Sequence, residues 1–69
     1  MSQLQESIRA MLPDDPSQAI PANALPLPEQ SIEHIRTCLT RMLKAGLVAR
    51  EPRRCKGMGR VFYYWRINI

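Results

Sequence analysis

The chain has 69 residues, 45% of them hydrophobic, so we expect a single domain over residues 1–69, which excludes a two-domain enzyme. Its longest apolar runs are only a few residues, far short of the roughly 20 that a transmembrane helix needs. The formal charge of +4 and the lack of a basic and apolar signal segment at the start predict a basic cytoplasmic protein without a membrane partner. A core of this size rarely supplies more than about 3–5 kcal/mol, so a homodimer is also expected.

The charge is concentrated in one half of the sequence. Residues 1–35 contain one cation and five anions, a net charge of −4, whereas residues 36–69 contain nine cations and one anion, a net charge of +8. Such a concentration is typical of a surface that binds a polyanion such as nucleic acid. The alternative is a solvated basic face without a partner.

The first predicted element is an amphipathic helix over residues 3–12, capped by Ser2 and ended by Pro13. Its apolar stripe consists of Leu4, Ile8, Met11 and Leu12. Residues 13–28 follow, with five of the six prolines, which exclude a long helix or a central strand. Within this connector we expect a short second helix of one or two turns over residues 19–25. The adjacent Asp14 and Asp15 are interpreted as a turn or cap pair.

The third predicted helix begins at residue 29 or 31 and ends at residue 45. Its apolar face consists of Ile32, Ile35, Leu39, Met42 and Leu43. Gly46 follows where a helix commonly ends in a left-handed residue.

After Gly46 the period changes to two, which predicts a hairpin with strands at residues 47–51 and 61–67. Pro52 is expected to end the first strand. Residues 53–60, with four cations and two glycines, are interpreted as a long mobile loop. We expect Phe62 or Tyr63, together with Trp65, to pack in the core; the alternative for Phe62, Tyr63, Tyr64 and Trp65 is stacking on unpaired bases.

This order of elements predicts an α+β winged helix-turn-helix domain, in which three helices precede a two-stranded β-hairpin wing. The segment from Ile35 through Leu39 and Met42 to Gly46, Leu47 and Val48 resembles the recognition helix of bacterial winged-helix regulators. Arg36 and the run over residues 46–54 further resemble the small regulators of pilus (fimbrial) operons. This resemblance implies a DNA-binding accessory transcriptional regulator that acts with a larger transcription factor at the nucleoid.

Duplex-DNA binding would place the third helix in the major groove and the hairpin on the phosphate backbone. Arg36 and Arg41 are candidates for bidentate contacts to guanine, and Thr37 and Thr40 for phosphate or thymine-methyl contacts. Candidates on the helix are Gln30, Ser31, His34, Arg36, Thr37, Thr40, Arg41 and Lys44, and those on the hairpin are Arg53, Arg54, Lys56 and Arg60. The alternative function is a winged-helix interaction module that docks an acidic protein partner.

The sequence offers few residues for catalysis or for metal binding. With one histidine and no nucleophile paired with a base, we expect no enzyme activity and no cofactor. His34 and Cys38 lie four residues apart and Cys55 is a conceivable third ligand, but without a fourth ligand this set is only a weak indication of zinc binding or redox sensing. We expect Cys38 to be a small core residue.

Overall fold

A computed structural model describes residues 2–57 and 59–68, except for the side chain of Cys55. The elements in chain order are α1 (Gln3–Met11), β1 (Ile20–Pro21), α2 (Ile32–Lys44), β2 (Val48–Cys55) and β3 (Gly59–Arg66). Short 3₁₀ turns at Pro16–Gln18 and Ala22–Ala24 flank β1. The strands form one antiparallel sheet in the order β1-β3-β2. No helix among the described residues has the length and apolar character needed to cross a membrane.

The predicted three helices and two-stranded hairpin wing are wrong: the fold is α+β with two α-helices and a three-stranded sheet. The segment expected to hold the second helix instead pairs Ile20 with Tyr64 and Pro21 with Tyr63, and only then makes a single 3₁₀ turn. Proline lacks the N–H that a central strand would use, but one side of an edge strand has no neighbour. Pro21 is therefore compatible with β1, which lies at the edge of the sheet.

Both α-helices lie where the sequence predicts them. The Ser2 hydroxyl accepts a hydrogen bond from the N–H of Gln5 at 3.2 Å and caps α1, and Ser31 caps α2 in the same way. At the other end of α2, Gly46 has a φ of +77°. The N–H of Gly46 donates to the carbonyl of Leu43 and the N–H of Leu47 to that of Met42, the pattern of a Schellman motif. This motif turns the chain directly from α2 into β2.

The strands of the hairpin, β2 and β3, are longer than predicted. Pro52 does not end β2 but pairs with Phe62, because β2 is the other edge of the sheet and can accommodate a proline. Pairing continues to Cys55 and Gly59. The long loop expected at residues 53–60 is therefore mostly strand, with a short turn that includes Lys56 and Gly57; Met58, also in that predicted loop, lies outside the described residues.

One hydrophobic core joins both helices, the connector and the hairpin. Its fully buried side chains are Ile8 of α1, Leu39 and Met42 of α2, and Val48 of β2. The aromatic residue of the core is Tyr64, only 5% exposed, and not the expected Phe62 or Tyr63 with Trp65. Tyr63 and Trp65 are half-buried on the other face of β3, and Phe62, on the same face as Tyr64, has 41% of its surface exposed.

The central position of Leu39 leads to a stability prediction. Leu39→Ala would remove a side chain with no exposed surface, and we expect it to lower the free energy of unfolding by about 2–5 kcal/mol. Met11→Ala on α1, where Met11 is 39% exposed, should change it by less than about 1 kcal/mol and serves as the control. Urea denaturation followed by circular dichroism measures both. Equal losses for the two variants would contradict this description of the core.

Candidate nucleic-acid interface

The register of the hairpin sorts its side chains into two faces. Directly opposed residues of an antiparallel pair point to the same face, and successive residues alternate. One face carries the pairs Val48–Arg66, Arg50–Tyr64, Pro52–Phe62 and Arg54–Arg60. At the start of the hairpin, Val48 and Tyr64 on this face belong to the core. Further along the hairpin, the same face carries Arg50, Phe62, Arg54 and Arg60. We call this the cationic face of the hairpin.

A groove of about 400 Å³ lies between α2, the 3₁₀ turn at Ala22–Ala24 and the cationic face. Three guanidinium groups line it from three elements: Arg36 from α2, Arg50 from β2 and Arg60 from β3. The other lining residues are Pro21, Ala22, Asn23, Thr40, Val61, Phe62 and Tyr64. None of these described lining residues is acidic, so the net charge of the lining is positive. We call this the cationic groove.

An arginine and an aromatic ring pair inside the groove. The guanidinium carbon of Arg50 lies 4.0 Å from the centroid of the Phe62 ring, which is the geometry of a cation–π contact. Such a contact fixes the side chain of Arg50 without neutralising its charge. The sequence analysis singled out neither Arg50 nor Asn23 as a site residue; only the register and the packing of α2 show that Arg50 and Phe62 share a face.

The two cations at the far end of the cationic face form no salt bridge among the described residues. Arg54 and Arg60 are exposed and directly opposite each other, where like charges repel. Among the described residues, the single salt bridge joins Arg53 to Glu51. A polyanion bound along the cationic face would therefore relieve repulsion between side chains that the fold leaves unpaired.

Arg53 differs from the other predicted hairpin contacts. It belongs to the face opposite the cationic face, where its Nε donates to the Glu51 carboxylate at 2.9 Å and its Nη2 donates to the carbonyl of Pro16 at 2.9 Å. Its guanidinium also lies 4.8 Å from the ring centroid of Tyr63. Arg53 thus attaches β2 to the connector, and its Nε and Nη2 donors are already in use.

The hydroxyl groups predicted to contact DNA on α2 are partly engaged within the helix. Thr37 Oγ1 donates to the carbonyl of Glu33 at 3.0 Å, and Thr40 Oγ1 donates to that of Arg36 at 2.9 Å. Both oxygens can still accept a hydrogen bond, but donation to a phosphate requires the hydroxyl to rotate.

The remaining α2 candidates lie outside the cationic groove. The Ser31 hydroxyl caps the helix by accepting from the N–H of His34 at 3.1 Å. Gln30 is half-buried, whereas His34, Arg41 and Lys44 are exposed. Exposure leaves these three available to a large ligand.

Cysteine, histidine and acidic side chains form no other site in the described structure. Cys38 is a buried free thiol in the core, as expected, and burial raises its pKa, whereas His34 is exposed. The side chain of Cys55 is outside the described structure. In the part that is described, no cluster of three or more His, Cys, Asp or Glu side chains could hold a metal ion.

Of the two adjacent aspartates, Asp15 forms the expected cap, whereas Asp14 bonds to a side chain distant in sequence. Asp15 accepts from the N–H of Ser17 at 2.9 Å, and this backbone hydrogen bond lowers the pKa of the carboxyl group. Asp14 accepts from the side-chain amide of Asn68 at 3.2 Å. Both acidic groups therefore hold the connector in place.

Comparisons of the chain with protein-family models, with curated proteins and with solved structures found no match. They neither support nor oppose the resemblance to small fimbrial regulators. The functional inference therefore depends on the cationic groove and on the exposed residues of α2.

Proposed function

We propose that the protein binds duplex DNA as a small transcriptional regulator, with the exposed side of α2 in the major groove and the cationic face of the hairpin on the phosphate backbone. The observation that carries this proposal is the convergence of Arg36, Arg50 and Arg60 in a groove without acidic residues. Three elements supply these cations, so their proximity is a property of the fold and not of one charged segment.

The dimensions of α2 suit a major groove. A helix of 13 residues is roughly 20 Å long and about 10–12 Å wide with its side chains, and the major groove of B-DNA is about 12 Å wide. Arg36 and Arg41 are exposed on α2 and form no salt bridge in the described structure, so their planar donor groups are free to recognise guanine.

The charge distribution supports a phosphate-binding role for the hairpin. Proteins that neutralise phosphates gain affinity mainly by releasing counterions, which makes binding steeply dependent on salt. Arg54, Lys56 and Arg60 are exposed cations near the end of the hairpin, where they can reach phosphates beside a helix in the groove. The proposal includes action at the nucleoid with a larger transcription factor, which rests on the resemblance, and a homodimer, which rests on the small core.

The hairpin cations should contribute to affinity without regard to sequence. We expect Arg54→Gln and Arg60→Gln each to lower the slope of log K against log salt by about one unit on any duplex, because each removes one phosphate contact. Fluorescence anisotropy with a random duplex pool at several salt concentrations measures the slope. Arg53→Gln is the matched control and should leave the slope unchanged, because Arg53 is engaged by Glu51 and Pro16. Unchanged slopes for all three folded variants would favour the docking of an acidic protein partner instead.

Arg36 should discriminate between bases. On a duplex selected from a random pool, we expect Arg36→Ala to cost roughly 1–3 kcal/mol of specific binding, and Arg36→Lys not to restore it, because a single ammonium cannot form the two parallel hydrogen bonds. Titrations of selected and scrambled duplexes measure the difference. If lysine restores binding, and alanine weakens specific and nonspecific binding equally, Arg36 contacts only phosphate.

A further inference from the structure

We infer that the cationic groove holds one unpaired nucleotide, with its base stacked on the pair formed by Arg50 and Phe62 and its phosphate on Arg60. The protein would then bind DNA that contains an unpaired nucleotide more tightly than fully paired duplex. This inference rests on the proposed DNA binding and adds to it the state of the DNA that the groove selects.

The core does not bury Phe62, although Phe62 is a large hydrophobic side chain. Tyr64, on the same face of β3, fills the core, whereas Phe62 leaves 41% of its surface in contact with solvent. An aromatic side chain among cations on a strand face is the arrangement that single-stranded nucleic acid uses, because every base has a flat face that stacks on an aromatic ring. The placement of Phe62 therefore indicates a planar ligand.

Arg50 covers one face of the Phe62 ring, so a base can stack on the outer side of its guanidinium. Its guanidinium lies 4.0 Å from the Phe62 ring centroid, and a guanidinium plane stacks on nucleobases as an aromatic ring does. Phe62 and Arg50 together thus present a ring and a delocalised cation to the same groove. This combination favours a base over an aliphatic or purely anionic ligand.

The rest of the groove matches the other parts of a nucleotide. Its volume of about 400 Å³ is near the lower end of the roughly 300–1,000 Å³ range of small-ligand sites, so one nucleotide is a suitable occupant. Asn23 supplies an amide that can both donate to and accept from a base edge, and Arg60 supplies charge for a phosphate. A base paired within a duplex is covered by its neighbours on both faces and cannot occupy this surface, whereas an unpaired base can.

Three DNA probes of the same sequence test the inference. The first is a matched duplex, the second contains one extrahelical 2-aminopurine nucleotide, and the third contains an extrahelical abasic nucleotide that reproduces the flexibility without the base. We expect the second probe to bind roughly 5- to 100-fold more tightly than the first and the third, the range that one stacked base supplies. The 2-aminopurine fluorescence should fall on binding as the base stacks.

Variants of Phe62 assign the preference to the groove. Phe62→Leu should abolish the preference for the 2-aminopurine probe and the fluorescence change, while Phe62→Tyr should retain both because it keeps the ring. Met11→Leu alters the other large exposed hydrophobic residue among those the structure describes, which lies on α1 and does not line the groove, and it should change neither readout. Circular dichroism confirms that each variant is folded.

The outcomes separate this inference from the proposed function. Equal binding of all three probes, or an equal loss for all three with Phe62→Leu, would overturn the inference and leave duplex binding intact. No binding of any probe at low salt would overturn both. Tight binding of the 2-aminopurine probe alone would support the inference and contradict the duplex as the target.

Discussion

The turn that ends α2 fixes the position of the cationic groove. Gly46 adopts a φ of +77°, a conformation that costs glycine little, and the following Leu47 bonds back to Met42 within α2. The hairpin thus begins against the helix that it follows, with Val48 fully buried between them. Arg50 lies two residues further on the same face of β2, so it necessarily comes close to the exposed side of α2.

The proline-rich connector contributes one wall of the groove and an anchor for the hairpin. Its strand β1 adds an edge to the sheet, and the next turn brings Asn23 opposite the cationic face. On the other face of the hairpin, Arg53 links Glu51 to the carbonyl of Pro16. The fold therefore uses Arg53 to hold the hairpin, while Arg54 and Arg60 of the cationic face are exposed and Arg50 lines the groove.

Local sequence signals predicted both α-helices well, but they wrongly predicted a further helix in the connector and missed the third strand. The serine caps and Gly46 act within a few residues of where they stand, so both α-helices and the turn after α2 could be predicted. That the sheet would accept Pro21 and Pro52 could not be predicted, because it depends on both residues lying in edge strands. Likewise, the alternation of side chains along β3 places Phe62 and Tyr64 on one face and Tyr63 and Trp65 on the other. Only tertiary packing decides which of the two faces the helices cover, and how far along the strand they cover it. For that reason the sequence identified Arg36 and Arg60 as candidates but not Arg50, and it offered Phe62 for base stacking only as the alternative to a place in the core.

The most direct test of the account is an NMR titration of the arginine side-chain Nε–H signals with a short duplex at low salt. Binding through the cationic groove predicts that the signals of Arg36, Arg50 and Arg60 shift, while those of Arg53 and of Arg9, whose guanidinium donates to the carbonyl of Ile67, remain in place. Shifts confined to Arg9 and Arg53, or no shifts at DNA concentrations that saturate binding, would contradict the assignment of this groove as the nucleic-acid interface.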